Sequence, residues 1–216
     1  MTGAAAGTEI AGIELRAERL TKRFGLRTIF ADLTFTLVPG DLLAITGCNG
    51  SGKSTLLKIL ANVTERSGGK VGLWRNGTAI DEEKSAAHIG FVAPYLQLYG
   101  EFTAWEHVEL IQQMRGLPFD PARATEFFTR FGLADRHGDR LETFSSGMMQ
   151  RAKFVCALIH HPPILLLDEP MTNLDAHGIE TMRRIVREEG PGRITVIATN
   201  EQEDVELCTK RLSVER

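Results

Sequence analysis

The run Gly47-Cys48-Asn49-Gly50-Ser51-Gly52-Lys53-Ser54 limits the possible folds of this chain more than any other stretch. It fits the pattern of a glycine, four free positions, then Gly-Lys-Ser/Thr. A short apolar run, residues 42–46, precedes it, and a helical pattern over residues 53–62 follows. Strand, glycine-rich loop and helix in that order make a phosphate cradle. Glycine leaves no Cβ in the way, so backbone N–H groups turn inward around an anion. The following helix adds the positive end of its dipole. Gly47, Cys48, Asn49, Gly50, Ser51, Gly52 and Thr55 are the expected lining. Lys53 is placed to reach the β- and γ-phosphates of a nucleotide, and the Ser54 hydroxyl to ligate Mg²⁺, a cation that prefers oxygen.

The rest of the chain suits an α/β fold with a mostly parallel central sheet. Residues 164–167 and 194–199 are short apolar runs of the kind that fill strands buried on both faces. Residues 13–46 read as strands, with Leu33, Phe35 and Leu37 alternating, and Asn76-Gly77 marks a hairpin. Together these predict an N-terminal antiparallel β subdomain. Between residues 95 and 160 the period becomes helical, with Trp105, Val108, Ile111 and Met114 recurring every third residue. That segment is expected to form an inserted helical lobe within one domain spanning residues 13–216, after a small, flexible start at residues 1–12. The longest apolar runs fall well short of the roughly 20 residues a membrane-spanning helix needs. A net charge of −3 supplies no basic field for nucleic acid, and no nucleic-acid partner is expected. Cys48, Cys156 and Cys208 have neither metal-site nor disulfide-framework spacing, which points to a reducing compartment.

Residues 164–170, Ile-Leu-Leu-Leu-Asp-Glu-Pro, end a strand on two acids. In parallel sheets ligands bind beyond the carboxyl ends of the strands, where the glycine-rich loop also lies. Asp168 is the expected second Mg²⁺ contact, and Glu169 the general base that polarises an attacking water.

Upstream, Phe144-Ser145-Ser146-Gly147-Met148-Met149-Gln150-Arg151 resembles the signature of the ABC transporter ATP-binding subunits, usually Leu-Ser-Gly-Gly-Gln. The resemblance covers residues 13–214. It implies the ABC ATPase fold, a P-loop NTPase that uses ATP and Mg²⁺. It implies that Ser145, Ser146, Gly147 and Met148 grip the ATP bound by a second ATP-binding domain, a self copy or a paralogue. It also implies that Phe24 stacks on adenine, that residues 172–175 form a dimer contact, and that residues 94–114 dock on an integral membrane subunit. The chain is then expected at the cytoplasmic face of the cell membrane, held there by that partner. The loop of residues 92–99 is similar to that of exporters, in particular the haem-exporter type used in cytochrome c maturation. Export of polysaccharide, drug or lipid, a non-transport ABC ATPase and a slow ATP sensor are the alternatives. Two positions depart from the family pattern. Asn200 stands where the switch histidine is usual, and Pro94 where a Mg²⁺-sensing glutamine is usual, the nearest glutamine being Gln97. An asparagine donates hydrogen bonds but carries no proton or charge. Slow ATP hydrolysis is therefore expected, with Glu169, Lys53 and Asn200 as its catalytic groups.

Overall fold

A computed structural model describes residues 12–214, so the expected flexible start lies outside the described residues except for Gly12. Among the described residues, nine strands fall into two sheets. The first holds β1 (Ile13–Phe24), β2 (Arg27–Leu37), β4 (Gly68–Arg75) and β5 (Thr78–Ala79). Its order is β2-β1-β4-β5, and its pairings are antiparallel. Asn76 and Gly77 close the β4–β5 hairpin with φ of 50° and 80°, left-handed conformations that Asn and Gly tolerate best.

The second sheet holds β3 (Leu42–Thr46), β6 (Ile89–Val92), β7 (Ile164–Asp168), β8 (Ile194–Ala198) and β9 (Lys210–Ser213). Its order is β6-β7-β8-β3-β9, with every pairing parallel. All residues of β3, β7 and β8 are buried. That explains their unbroken apolar runs, since strands covered on both faces show no alternation. β9 gave no such signal: it is an edge strand with exposed Lys210 and Arg211, the charged edge that discourages further pairing.

Among the described residues there are seven α-helices: α1 (Lys53–Leu60), α2 (Glu82–Ser85), α3 (Ala104–Met114), α4 (Pro121–Arg130), α5 (Ser146–Leu158), α6 (Ala176–Glu189) and α7 (Gln202–Glu206). α1 stops two residues short of the expected end, because Asn62 takes φ of 56°. The inserted lobe is built from α3, α4 and α5 around Phe127, Phe128, Phe131 and Phe154, all fully buried. The three-residue stripe on α3 needs correction. Trp105 packs edge-on against Phe119 at 5.3 Å, and Val108 is buried, but Met114 is 79% exposed. The helix advances 100° per residue, so nine residues place Met114 about 180° from Trp105. The buried face runs instead through Ala104, His107, Val108 and Gln112.

Leu166, at the centre of β7, is fully buried. Leu166→Ala is expected to cost about 2–5 kcal/mol in urea unfolding. Leu26→Ala, at a fully exposed turn position, should stay within about 0.5 kcal/mol.

Candidate nucleotide-binding site

The cradle begins where β3 ends. Gly47 has φ of 145° and Gly52 φ of 115°. A Cβ on Gly47 would lie 2.3 Å from the Val214 carbonyl oxygen, and one on Gly52 2.3 Å from Ile29 Cγ2. Both positions therefore require glycine. Gly52 is also the N-cap of α1 and offers no side-chain acceptor. The helices α3, α4, α5 and α6 are each capped by a side chain, from Thr103, Asp120, Ser145 and Asp175 respectively. The first-turn N–H groups of α1 have no such cap and remain for an anion. Lys53 is buried, and its ammonium donates to the carbonyl oxygens of Gly47 at 2.8 Å and Cys48 at 3.4 Å. The Ser51 hydroxyl oxygen is buried with no hydrogen-bond partner. Asn49, Gly50, Ser54 and Thr55 line the same cavity, of about 260 Å³.

Strand register brings the acids to this cradle. Ile45 pairs with Ala198, and Ala198 with Asp168, so one row crosses three strands at their carboxyl ends. Ser54 Oγ, on the first turn of α1, donates to Asp168 Oδ1 at 3.0 Å across 114 positions of sequence. Burial raises the Asp168 pKa above the usual carboxylate range; the neighbouring Glu169 charge adds to that, and the Ser54 hydrogen bond opposes it. Glu169 takes φ of 44°, a left-handed conformation uncommon outside glycine. The turn carries its side chain into the wall of the cradle cavity. Its backbone N–H still donates to the Ala198 carbonyl at 2.9 Å, so the turn is anchored on the sheet.

Asn200 follows β8, and its Nδ2 donates to Asn49 Oδ1 at 2.7 Å. Phe24 ends β1 with 54% of its surface exposed, so it is not a core aromatic, and the Lys22 ammonium sits 4.6 Å from its ring centroid. The signature residues lie elsewhere. Ser145, Ser146 and Gly147 line a separate cavity of about 510 Å³ with Asn173, Arg151 and His177, and none of its lining residues belongs to the cradle cavity. The Ser145 hydroxyl caps α5 by accepting from the Met148 N–H at 3.2 Å. A Cβ on Gly147 would come within 3.1 Å of the Asn173 carbonyl oxygen. The expected dimer-contact loop therefore packs directly against the signature.

Comparison with known proteins decides the family. The ABC transporter family model matches residues 30–172. The chain belongs to the ABC transporter family. It is 33% identical over 199 residues to the lipoprotein-releasing system ATP-binding protein LolD of Bacteroides thetaiotaomicron, covering 87% of this chain and 90% of LolD. It is 32% identical over 205 residues to the linearmycin resistance ATP-binding protein LnrL of Bacillus subtilis. That match covers 93% of this chain and 65% of LnrL, so the chain spans about two thirds of that relative's length. A solved ATP-binding subunit of an ABC transporter superposes with a TM-score of 0.81 at 25% identity, covering 93% of this chain and 85% of that one. The expected ABC ATPase fold, with its parallel sheet, antiparallel sheet and helical lobe, is the observed one.

Within this ABC domain one site residue escaped the sequence reading. The Tyr95 phenol meets the Asp168 carboxylate, and burial together with that negative neighbour pushes its pKa well above the ordinary phenol value. Lys58, on α1, stands 3.9 Å from the Tyr95 ring centroid. Pro94, aligned with the family's glutamine, offers only its carbonyl, which accepts from Lys153 Nζ at 3.1 Å. No periodicity separates an aromatic side chain that packs from one that reaches a carboxylate.

A nucleotide triphosphate and Mg²⁺ fit these residues: the glycines leave room for phosphate oxygens, Ser51 offers an unused hydroxyl, and Ser54 and Asp168 supply hard oxygen donors. The described residues contain no group of three or more His, Cys, Asp and Glu able to hold a metal alone. That suits an ion that shares its ligands with phosphates and water. The raised Asp168 pKa has a stability consequence. Because the folded chain binds this proton more tightly than the unfolded chain, stability without metal falls as pH rises through the folded pKa. Asp168→Asn is expected to raise the melting temperature in metal-free buffer at pH 7, and to lose the further rise on adding Mg²⁺ and ATP. Differential scanning calorimetry of both proteins reads both effects.

Proposed function

We propose that this chain is the ATP-hydrolysing subunit of an ABC exporter, working with a second ATP-binding domain and a separate integral membrane subunit. One observation carries the reading. The chain presents a phosphate cradle on one surface and a serine-glycine helix start on another, in cavities that share no residue. Each is half of a site, and two copies placed head to tail, self or paralogue, complete both.

The chemistry follows from the residues. Lys53 and the first-turn N–H groups of α1 bind the β- and γ-phosphates. Ser54 and Asp168 hold Mg²⁺, which when bound neutralises phosphate charge. Phe24 offers its exposed ring to adenine. Glu169 accepts the proton of the attacking water, which bonds to the γ-phosphorus as the bond to ADP breaks. Asn200 donates to the γ-phosphate without contributing charge. Ser145, Ser146, Gly147 and Met148 close on the mate's nucleotide, with helix N–H groups and hydroxyls matching its charge.

Coupling to the membrane has a surface to use. A groove of about 640 Å³ is lined by Phe91, Leu96, Leu98, Ile111 and Met114, and it runs along the segment expected to dock. Exposed Met114 and Tyr99 extend its apolar character. No helix among the described residues is long and apolar enough to cross a membrane. As the ATP-hydrolysing subunit of an ABC exporter, the chain sits peripherally on the cytoplasmic side, seated on its partner. Haem export is the cargo suggested by the loop of residues 92–99. Lipoprotein release and linearmycin resistance are the roles printed in the names of LolD and LnrL. The reading rests on the ATP-driven step and leaves the cargo to the membrane subunit.

Glu169→Gln is expected to lower steady-state phosphate release by at least about 10²-fold. It should leave ATP binding intact and trap a dimer visible by gel filtration in ATP. Undiminished phosphate release from that variant would remove Glu169 from the mechanism.

A further inference from the structure

The hydrogen bond between Asn200 and Asn49 joins segments 151 positions apart, from the second residue after β8 to the glycine-rich loop. Both side chains are exposed and neither is needed for the core. The Asn200 backbone is independently fixed. The preceding Thr199 donates its N–H to the Ile45 carbonyl at 3.1 Å and its hydroxyl to Asp204 Oδ2 at 3.1 Å. Asp204 is in turn buried and paired with Arg183 at 2.8 Å. These contacts anchor the chain next to Asn200, whose exposed side chain can still turn its amide.

That freedom matters for an asparagine in a way it does not for a charged group. A side-chain amide has two N–H donors on one end and a carbonyl acceptor on the other. With the nitrogen toward a phosphate oxygen it attracts; with the oxygen toward it, it repels. The Asn49 carbonyl occupies one N–H and leaves the second available on the same end. Asn49 and Glu169 both line the cradle cavity and also the adjoining cavity of about 480 Å³ that Asn200 lines. The pair therefore stands where the two cavities meet, beside the proposed base.

We propose that Asn49 is a positioning residue for Asn200: its side-chain carbonyl holds the Asn200 amide with an N–H directed at the γ-phosphate position, so the two amides together distinguish a nucleoside triphosphate from a diphosphate. The inference rests on the nucleotide-site reading above and adds to it a partner for the switch-position asparagine. Asn49 on this account acts in addition to any contact of its own with phosphate.

The test is a double-mutant cycle on the ratio of ATP to ADP affinity. It uses the full chain carrying Glu169→Gln, so that ATP survives the titration. A hydrogen bond to a charged phosphate supports an effect of about tenfold on that ratio. Asn200→Ala is expected to lower the preference for ATP by about tenfold, and Asn49→Ala by a similar factor. The double variant should also lose about tenfold, because each single change already breaks the same unit. A loss near a hundredfold in the double variant would mean independent contacts and would overturn the inference. So would an Asn49→Ala protein that binds ATP and ADP with equally reduced affinity, since that marks a plain cradle contact. Lys53→Ala serves as the separate check. If it binds both nucleotides as tightly as its parent, the nucleotide site itself is wrong and the inference falls with it. Matching melting temperatures across the set show that every variant is folded.

Discussion

Parallel pairing of β3, β7 and β8 is the constraint on which the rest of this molecule depends. In a parallel sheet all strands run out at the same edge, so the residues that follow them meet however distant they are in sequence. The row Ile45–Ala198–Asp168 marks that edge. Immediately beyond it lie Gly47, Glu169 and Asn200, which belong to three separate stretches of chain. Because these strands are buried on both faces, their register cannot slip without exposing apolar side chains or burying polar ones. The precision of the site is thus a by-product of core packing. The Ser54–Asp168 hydrogen bond then ties the helix that follows β3 to the end of β7.

On the proposed reading, the site is incomplete within one chain. The cradle supplies backbone donors, a lysine and two carboxylates to one side of a nucleotide. The signature helix starts on a different surface, held by Ser145 at its cap and packed against Asn173. The cradle suits an anion because the first turn of α1 has no side-chain cap, whereas Ser145 already caps one N–H of the first turn of α5. On that reading, the separation of the two surfaces is what makes completion of the site depend on another copy. The lobe built on Phe127, Phe128, Phe131 and Phe154 packs α5 into its core.

The departures from the family pattern also look different once the tertiary contacts are known. Asn200 and Pro94 each lack a chemical group that the family usually places there. The fold sets other groups beside them: the Asn49 carbonyl for Asn200, and the Tyr95 phenol at Asp168 next to Pro94. In both cases the neighbour is a polar, uncharged side chain.

Local chemistry was legible from the residues themselves. The glycine-rich loop, the acids after an apolar run and the Asn76-Gly77 hairpin each depend on backbone conformation or on covalent order, and composition states those directly. The helix after the glycine-rich loop, expected over residues 53–62, was legible to within two residues for the same reason, whereas α6 and α7 gave no signal that was read. Which side of α3 faces the core was not legible: a spacing of three drifts around a helix of 3.6 residues per turn, and only packing against Phe119 and Phe128 selects Trp105 over Met114. Nor was the edge strand β9, whose lysine and arginine follow from its place at the rim. The reach of Tyr95 to Asp168 and of Asn200 to Asn49 joins residues 73 and 151 positions apart. The chain's order determined which chemistry is present; the order of strands in the sheet, which no local pattern contains, decided which of those groups meet.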